Sequence, residues 1–173
     1  MSQPYQPLPD YLKPDLKVLF VGFNPSIRSG ELGHHFASPN NRFWKILYES
    51  GLTPRKYSPA EDALLLELGY GLTNIAARPT RAAADVDTTE YDAGRELLLI
   101  KVRSNLPRVV CFVGKGVYQI YTRKRKADWG FQSNGTVPGV MDFVAPSSSG
   151  LVRMSMEQIV GIYRLLNEFL RDC

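Results

Sequence analysis

Three segments rich in glycine, proline and serine carry the residue types that can handle a ligand. They are residues 22–26 (GFNPS), 114–116 (GKG) and 146–153 (PSSSGLVR), and each follows a short apolar run typical of a buried strand. Small residues let backbone amides approach a ligand closely, and open α/β sheets bind ligands at the carboxyl ends of their strands. The segments therefore predict a site built from amides, hydroxyls and one asparagine.

The motifs of several other enzyme classes do not fit these segments. Val109 stands where the first glycine of a phosphate-binding P-loop belongs, and no hydroxyl residue follows Lys115. Gly22 is not followed by further glycines at the spacing of a dinucleotide-binding motif. The serines at 147–149 do not lie in a Gly-x-Ser-x-Gly nucleophile motif.

Metal-ligating residues are few and poorly spaced. The two histidines, His34 and His35, are adjacent, which does not place both on one face of an element. The two cysteines, Cys111 and Cys173, are too few for a four-ligand zinc site, and Cys111 lies within an apolar strand-like run. We expect no metal and no organic cofactor.

Alternating strands and helices must position the three segments. Apolar, β-branched runs predict strands over 16–22, 108–113 and 141–145, and residues 71–79 are predicted as a strand or a loop returning to the sheet. Apolar spacing and capping signals predict helices over 41–50, 58–69, 88–107, 116–121 and 155–169. This alternation predicts an α/β fold, a single-domain three-layer α/β/α sandwich with a mostly parallel central sheet.

Composition places the chain among ordinary globular proteins. It has 173 residues, 44% of them hydrophobic and 22% charged, which suits one domain. Prolines predict a flexible N-terminal arm over 1–15, so the domain is expected over 16–173. No apolar run approaches the ~20 residues of a membrane helix, and we expect a cytoplasmic protein. The net charge of +4 is compatible with a polyanionic partner.

Three parts of the sequence, in collinear order, resemble the signatures of the mismatch-specific uracil/thymine-DNA glycosylases, a family of the uracil-DNA glycosylase superfamily. The first is residues 22–26 followed by 36–45 (FASPNNRFWK). The second is 71–74 (GLTN) followed by 78–80 (RPT), and the third is 146–153. The likeness extends from the first predicted strand to the last helix.

This resemblance implies a monofunctional DNA glycosylase. Such an enzyme flips uracil, thymine or a damaged pyrimidine out of mismatched double-stranded DNA. Water attack at C1′ then leaves an abasic site for base excision repair, and we expect a monomer to do this. Two alternatives stay open from the sequence: a noncatalytic DNA module that senses bases, and a small α/β nucleotide hydrolase.

The resemblance also implies roles for residues of the predicted pocket. Asn24 matches the family position that holds the attacking water, with a simple Asn-Pro turn as the structural alternative. Phe36 matches the position whose ring stacks on the flipped base, with a core phenylalanine as the alternative. The amide of Phe23 is expected to donate to a base carbonyl, and Asn74 is expected to bind the substrate. Lysine can occupy the position of Asn74 in relatives.

The segment 146–153 is expected to face the DNA backbone and the gap left by the base. The family pattern implies phosphate contacts from three serines, Ser147, Ser148 and Ser149. It implies a wedge that fills the gap, made by Gly150, Leu151 and Arg153. Relatives can carry asparagine in place of Ser147 and arginine in place of Leu151.

Two further charged residues are candidates outside these motifs. Lys115 is predicted to contact a DNA phosphate. Asp92 is a candidate for activating water, although a carboxylate near a helix N-terminus ordinarily compensates the helix dipole.

Overall fold

A computed structural model describes residues 5–172, so Cys173 and the first four residues of the predicted arm lie outside it. The five strands are β1 (Val18–Gly22), β2 (Tyr70–Asn74), β3 (Val109–Val113), β4 (Gly130–Phe131) and β5 (Met141–Ala145). The five α-helices are α1 (Ile27–Leu32), α2 (Phe43–Glu49), α3 (Thr88–Asn105), α4 (Lys115–Thr122) and α5 (Met156–Arg171). Two 3₁₀ helices cover Pro59–Leu68 and Ala83–Asp85.

The central sheet has the strand order β2-β1-β3-β5-β4. β1 pairs in parallel with β2 and β3, β3 pairs in parallel with β5, and β4 is antiparallel to β5. Every residue of β1 and β3 is buried, which is typical of parallel strands covered on both faces. The predicted α/β fold with a mostly parallel sheet is confirmed.

Helices cover both faces of this sheet and form two cores. Val18 and Phe20 of β1 pack with buried residues of α2, α5 and the long 3₁₀ helix. Leu19 and Val21 alternate with them and pack with buried residues of α3 and α4 on the other face. Two helical layers and one sheet therefore form the predicted three-layer sandwich.

Local signals located most elements correctly but not all. The element after Ser58 begins with the predicted capping box, in which the Ser58 amide donates to Glu61 at 3.0 Å, but it is a 3₁₀ helix. The short helix α1 was not predicted, although Ser26 caps it and Gly33 ends it at φ 74°. The two-residue strand β4 is too short to have an alternating pattern.

Part of the predicted N-terminal arm (1–15) lies against the sheet. Tyr11 and Leu72 of β2 exchange backbone hydrogen bonds of 2.9 and 3.1 Å. The carboxylate of Asp10 lies 2.6 Å from the ammonium group of Lys101 on α3. Residues 10 and 11 of the predicted arm therefore contact the sheet and α3.

The parallel register brings four strand ends to one edge of the sheet. β1 and β2 end in register, with Gly22 opposite Asn74, and β3 and β5 end with Val113 opposite Ala145. The loops that follow these strands must therefore meet. Within residues 5–172, no helix is both long enough and apolar enough to cross a lipid bilayer.

Substitution of two helical glycines can test how closely α3 packs against the chain that follows β2. A Cβ atom at Gly94 would lie 1.6 Å from the carbonyl oxygen of Ile75, whereas one at Gly161 on α5 would have no neighbour within 4 Å. We expect Gly94→Ala to lower the free energy of unfolding by about 3 kcal/mol or more. Gly161→Ala should raise it by about 0.5–1 kcal/mol. Urea denaturation measures both, and equal effects would contradict the close approach.

Candidate active site

A cavity of about 590 Å³, here called the main cavity, opens where the four parallel strands end. Nine of the residues predicted from the sequence line it: Phe23, Asn24, Phe36, Asn74, Ser147, Ser148, Ser149, Gly150 and Leu151. They come from positions up to 128 residues apart in the chain, from Phe23 to Leu151. The fold therefore gathers most of the predicted site into one volume.

Hydrogen bonds fix the orientation of the Asn24 carboxamide. Its Nδ2 donates to the carbonyl oxygen of Arg78 at 2.8 Å and to Oγ1 of Thr80 at 2.7 Å. Because a carbonyl can only accept, the NH₂ group must lie on that side. The hydroxyl of Thr80 in turn donates to the Ala82 carbonyl at 2.6 Å. Asn24 Oδ1 has no hydrogen bond within the described residues, so it remains a free acceptor beside the cavity.

Phe36 has one ring face covered and contributes to the cavity wall. Its ring stacks on Phe43 at 3.9 Å between centroids, with the planes 20° apart. The backbone of Phe36 has φ 51°, a left-handed conformation that is costly for a bulky residue. The indole of Trp44 donates to the Phe36 carbonyl at 3.2 Å and helps hold this conformation. Phe36 is half-buried and lines the cavity, so part of its side chain is accessible to a ligand.

Asn74 and Gly22 together shape the floor of the cavity. Asn74 is the last residue of β2, and its side chain has no hydrogen bond within the described part of the chain. A Cβ atom at Gly22 would lie 2.7 Å from Asn74 Oδ1 and 3.6 Å from the Phe36 ring. Glycine at this position therefore keeps the space between the amide and the ring open.

The serines after β5 have hydroxyl groups that are partly used by the backbone. Ser147 Oγ accepts from the Ser149 amide, and Ser149 Oγ accepts from the Leu151 amide, both at 3.2 Å. These bonds occupy acceptor positions and leave both O–H groups able to donate. Ser148 is 2% exposed, so its hydroxyl offers less to a ligand than its neighbours do.

Arg42 holds this serine loop in place, and sequence reasoning did not find it. Its Nη2 donates to the carbonyls of Ser149 at 3.0 Å and Val152 at 3.3 Å. Its backbone amide donates to the Ser148 carbonyl at 2.8 Å. Arg42 immediately precedes α2, whose first residue, Phe43, supports the Phe36 ring. One turn therefore positions both sides of the cavity.

Comparison with known proteins decides the family. The family model of the uracil DNA glycosylase superfamily matches residues 9–171. The chain belongs to the uracil DNA glycosylase superfamily. A candidate uracil DNA glycosylase from Methanosarcina acetivorans, solved by solution NMR, has a similar fold, with a TM-score of 0.60 at 19% identity over 95% of this chain and 99% of that chain. Superfamily membership supports a DNA glycosylase role, which is hydrolysis of an N-glycosyl bond.

In this member of the glycosylase superfamily, the charges of the residues that line the main cavity indicate which ligands it can accept. The lining contains Arg81 and His35 but no aspartate or glutamate among the described residues. A cavity without carboxylates does not repel phosphates or a pyrimidine that leaves as an anion. Within residues 5–172, no three His, Cys, Asp or Glu side chains group closely enough to hold a metal ion.

His35 is a buried histidine in the cavity wall that sequence reasoning considered only as a metal ligand. Its Nε2 lies 2.8 Å from the Pro9 carbonyl, which requires the proton on Nε2. Its backbone amide donates to the buried carboxylate of Asp62 at 2.9 Å. Burial lowers the pKa of His35 below its ordinary value of 6.5, although the Pro9 carbonyl, Asp62 and Asp10 oppose this shift.

Three predicted site residues do not line the main cavity. Asp92 and Arg153 are exposed, and Asp92 lies in the second turn of α3. The ammonium group of Lys115 lies 4.3 Å from the centroid of the Trp129 ring, a cation–π contact.

Leu151 lies at the rim and is 92% exposed, which is unusual for leucine and leaves it free to contact a partner.

Removing the Arg42 brace should loosen the serine loop. We expect Arg42→Ala to lower the free energy of unfolding by about 1–3 kcal/mol, because the Val152 carbonyl loses its guanidinium donor and the Ser149 carbonyl loses one of its two donors. Amide hydrogen exchange of residues 149–152 should become faster by at least tenfold. Arg28→Ala serves as the control, since Arg28 contacts only Glu31 at the surface, at 3.5 Å. Unchanged hydrogen exchange in Arg42→Ala would show that the serine loop stays ordered without the Arg42 side chain.

Burial of His35 also predicts a pH dependence of stability. With a lowered pKa in the folded state, the unfolded chain takes up a proton first as the pH falls below 6.5. The stabilising contribution is therefore complete above this pH and is lost below it, by at most about 1.4 kcal/mol per pH unit. Between pH 7.5 and 5.5, wild type should lose more stability than His35→Gln in urea denaturation. Equal losses of stability in the two proteins would contradict a lowered pKa of His35 in the folded state.

Proposed function

We propose that this protein is a monofunctional, mismatch-specific uracil/thymine-DNA glycosylase. It flips uracil out of mismatched double-stranded DNA and excises it by water attack at C1′, which leaves an abasic site for base excision repair. Thymine and damaged pyrimidines are the further substrates of this proposal. The protein acts as a monomer on DNA inside the cell, without a metal or an organic cofactor.

One observation carries the proposal. One cavity is lined by the free acceptor of Asn24, the partly covered ring of Phe36, the unpaired amide of Asn74 and the serine loop, and within residues 5–172 no carboxylate lines it. A flipped pyrimidine nucleotide needs each of these: a held water, a stacking surface, a partner for its base edge and donors for its phosphate. A mononucleotide hydrolase would ordinarily use a metal or a strong base to activate its water.

Asn24 is the proposed water-binding residue. As the N-glycosidic bond breaks, the sugar acquires positive charge, so even a weak nucleophile can attack C1′ if it is well positioned. Oδ1 of Asn24 accepts a hydrogen bond from water and, being uncharged, does not capture its proton. The bonds from Nδ2 to Arg78 and Thr80 hold the oxygen in one place. This preorganisation is the catalytic contribution.

Base recognition is proposed for Phe36, Asn74 and the amide of Phe23. Stacking on an aromatic ring is worth about 1–3 kcal/mol per base and accepts several pyrimidines. The carboxamide of Asn74 has both a donor and two acceptor positions, which match the imide edge shared by uracil and thymine. The Phe23 amide is assigned to a base carbonyl.

The DNA backbone and the gap in the duplex are assigned to the loop after β5. Ser147 and Ser149 donate to phosphate oxygens, and the backbone around Ser148 contributes to the same cradle. The exposed side chain of Leu151 enters the duplex, with Gly150 allowing its approach and Arg153 contacting the unpaired base or a phosphate. A Cβ atom at Gly150 would lie 2.8 Å from the Asn40 carbonyl, so the loop requires glycine there. Lys115 is assigned to a more distant phosphate.

Substitution of Asn24 tests the proposal directly. Labelled duplexes with U·G, T·G and U·A pairs are incubated with the protein, and abasic sites are then cleaved with alkali. Asn24→Ala should lower the single-turnover excision rate by at least about 100-fold, because the water loses its position. Asp92→Ala is the matched control and should stay within about twofold of wild type, because Asp92 lies outside the cavity lining.

Other outcomes would contradict the proposal in distinguishable ways. Tight binding to mismatched duplexes without any excision would favour a noncatalytic base-sensing module. Turnover of free nucleotides with no response to duplex DNA would favour a nucleotide hydrolase. A larger loss in Asp92→Ala than in Asn24→Ala would move water activation to Asp92.

A further inference from the structure

A second cavity, here called the side cavity, lies beside the main cavity and also measures about 590 Å³. The two cavities share Phe36, Ser38, Asn40 and Asn41, so a single short segment separates them. The opposite wall of the side cavity comes from α2 and from residues 56–61, which lead into the long 3₁₀ helix. None of the roles proposed above uses this second volume.

The walls of the side cavity carry a positive charge. Three cationic side chains line it, from Arg42, Lys45 and Lys56, against one acidic side chain, from Glu61. The carboxylate of Glu61 is already paired, since both of its oxygens accept from the Arg55 guanidinium, at 3.1 and 2.6 Å. Arg55 therefore cancels the acidic charge, and the three cations remain to attract an anion.

These cations are only weakly used by the protein itself. Lys56 has no ion pair or hydrogen bond within the described residues, and it is exposed. Lys45 lies 3.8 Å from Glu49, a surface pair whose contribution is small. Nε of Arg42 is buried and has no hydrogen-bond partner, although the same guanidinium holds the serine loop. Lys56 thus offers a positive charge that no described residue pairs with, and Lys45 adds one that is paired only weakly at the surface.

The lining favours a phosphate over a nucleobase. The two large aromatic residues in the walls besides Phe36 are Trp44 and Tyr57, which are only 4% and 9% exposed. So little of each ring is accessible that neither offers a base a platform on which to stack. Lysines instead bind phosphates as flexible point charges, without reading the sequence.

We propose that the side cavity binds the sugar–phosphate backbone next to the flipped nucleotide, on the same DNA strand. Lys45 and Lys56 each neutralise one phosphate of this backbone. The inference rests on the proposed function, because a nucleotide held in the main cavity must continue across the shared rim formed by Ser38, Asn40 and Asn41. The volume lies within the ~300–1,000 Å³ of ordinary ligand pockets, which suits a unit of this size.

The first experiment measures the salt dependence of binding. The probe is a duplex with 2′-fluoro-deoxyuridine opposite guanine, in which the fluorine slows bond cleavage and keeps the complex intact. Lys45→Gln and Lys56→Gln should each reduce the slope of log Kd against log salt concentration by about 0.9. Each should weaken binding about eightfold at 0.1 M salt. A slope difference of about 0.9, taken over the tenfold change in concentration from about 1 M salt, corresponds to this factor.

Lys17→Gln is the matched control. Lys17 is exposed and precedes β1, at the opposite end of the strands from both cavities. It should leave the slope and the Kd unchanged, and thermal unfolding checks that all three variants are folded. If Lys45→Gln and Lys56→Gln behave like Lys17→Gln, the side cavity does not bind the strand.

The second experiment locates the phosphate. Uncharged methylphosphonate linkages are placed one at a time at the three phosphates on either side of the fluorinated nucleotide. At one position adjoining that nucleotide, neutralisation should weaken wild-type binding about eightfold but should not weaken Lys56→Gln further. Additive losses at every position would overturn the inference, since the lysine would then act through a diffuse field or on another partner.

Failure of this inference is distinguishable from failure of the proposed function. A wild-type protein that excises uracil, with unchanged salt slopes in both lysine variants, overturns the side-cavity assignment alone. A wild-type protein that neither excises uracil nor binds the fluorinated duplex overturns both.

Discussion

Both faces of the parallel sheet are buried, and this burial fixes the register of its strands. The register in turn brings the ends of four strands together, and the candidate site is built from the loops that follow them. Apolar side chains alternate along β1 and pack into one core on each face, so a shift of one residue would exchange the two sets. With the register held in this way, Gly22 lies opposite Asn74 and Val113 lies opposite Ala145. The loops that carry Asn24 and the serines consequently open into the same cavity.

The turn that leads into α2 links two parts of the site that are distant in sequence. On one side, Phe43 and Trp44 support the ring and the strained backbone of Phe36. On the other side, Arg42 donates to three carbonyls of the serine loop. Phe36 and the serine loop are therefore supported by neighbouring residues of one segment. The same turn separates the main cavity from the side cavity.

The chemistry of the main cavity depends on which of its lining side chains carry a charge. Its lining contains amides, hydroxyls, a buried histidine and Arg81, and no carboxylate among the described residues. The proposed reaction, in which the substrate itself develops the positive charge, does not require a strong nucleophile. In the proposed function, the amides of the cavity and Arg81 stabilise negative charge on phosphates and on a leaving base. The role proposed for Asn24 accordingly depends on its position more than on its basicity.

The sequence by itself determined most of the elements and nine of the residues that line the cavity. Strand periodicity, capping boxes and glycine stops are local signals, and the collinear motifs around Asn24, Phe36 and the serines add to them. Only the tertiary structure decided which candidates share a cavity, leaving Asp92 outside it and bringing His35 into its wall. It also identified Arg42 as the brace of a loop 107 residues away. Contacts between distant segments have no local pattern, because they arise from packing of the whole chain.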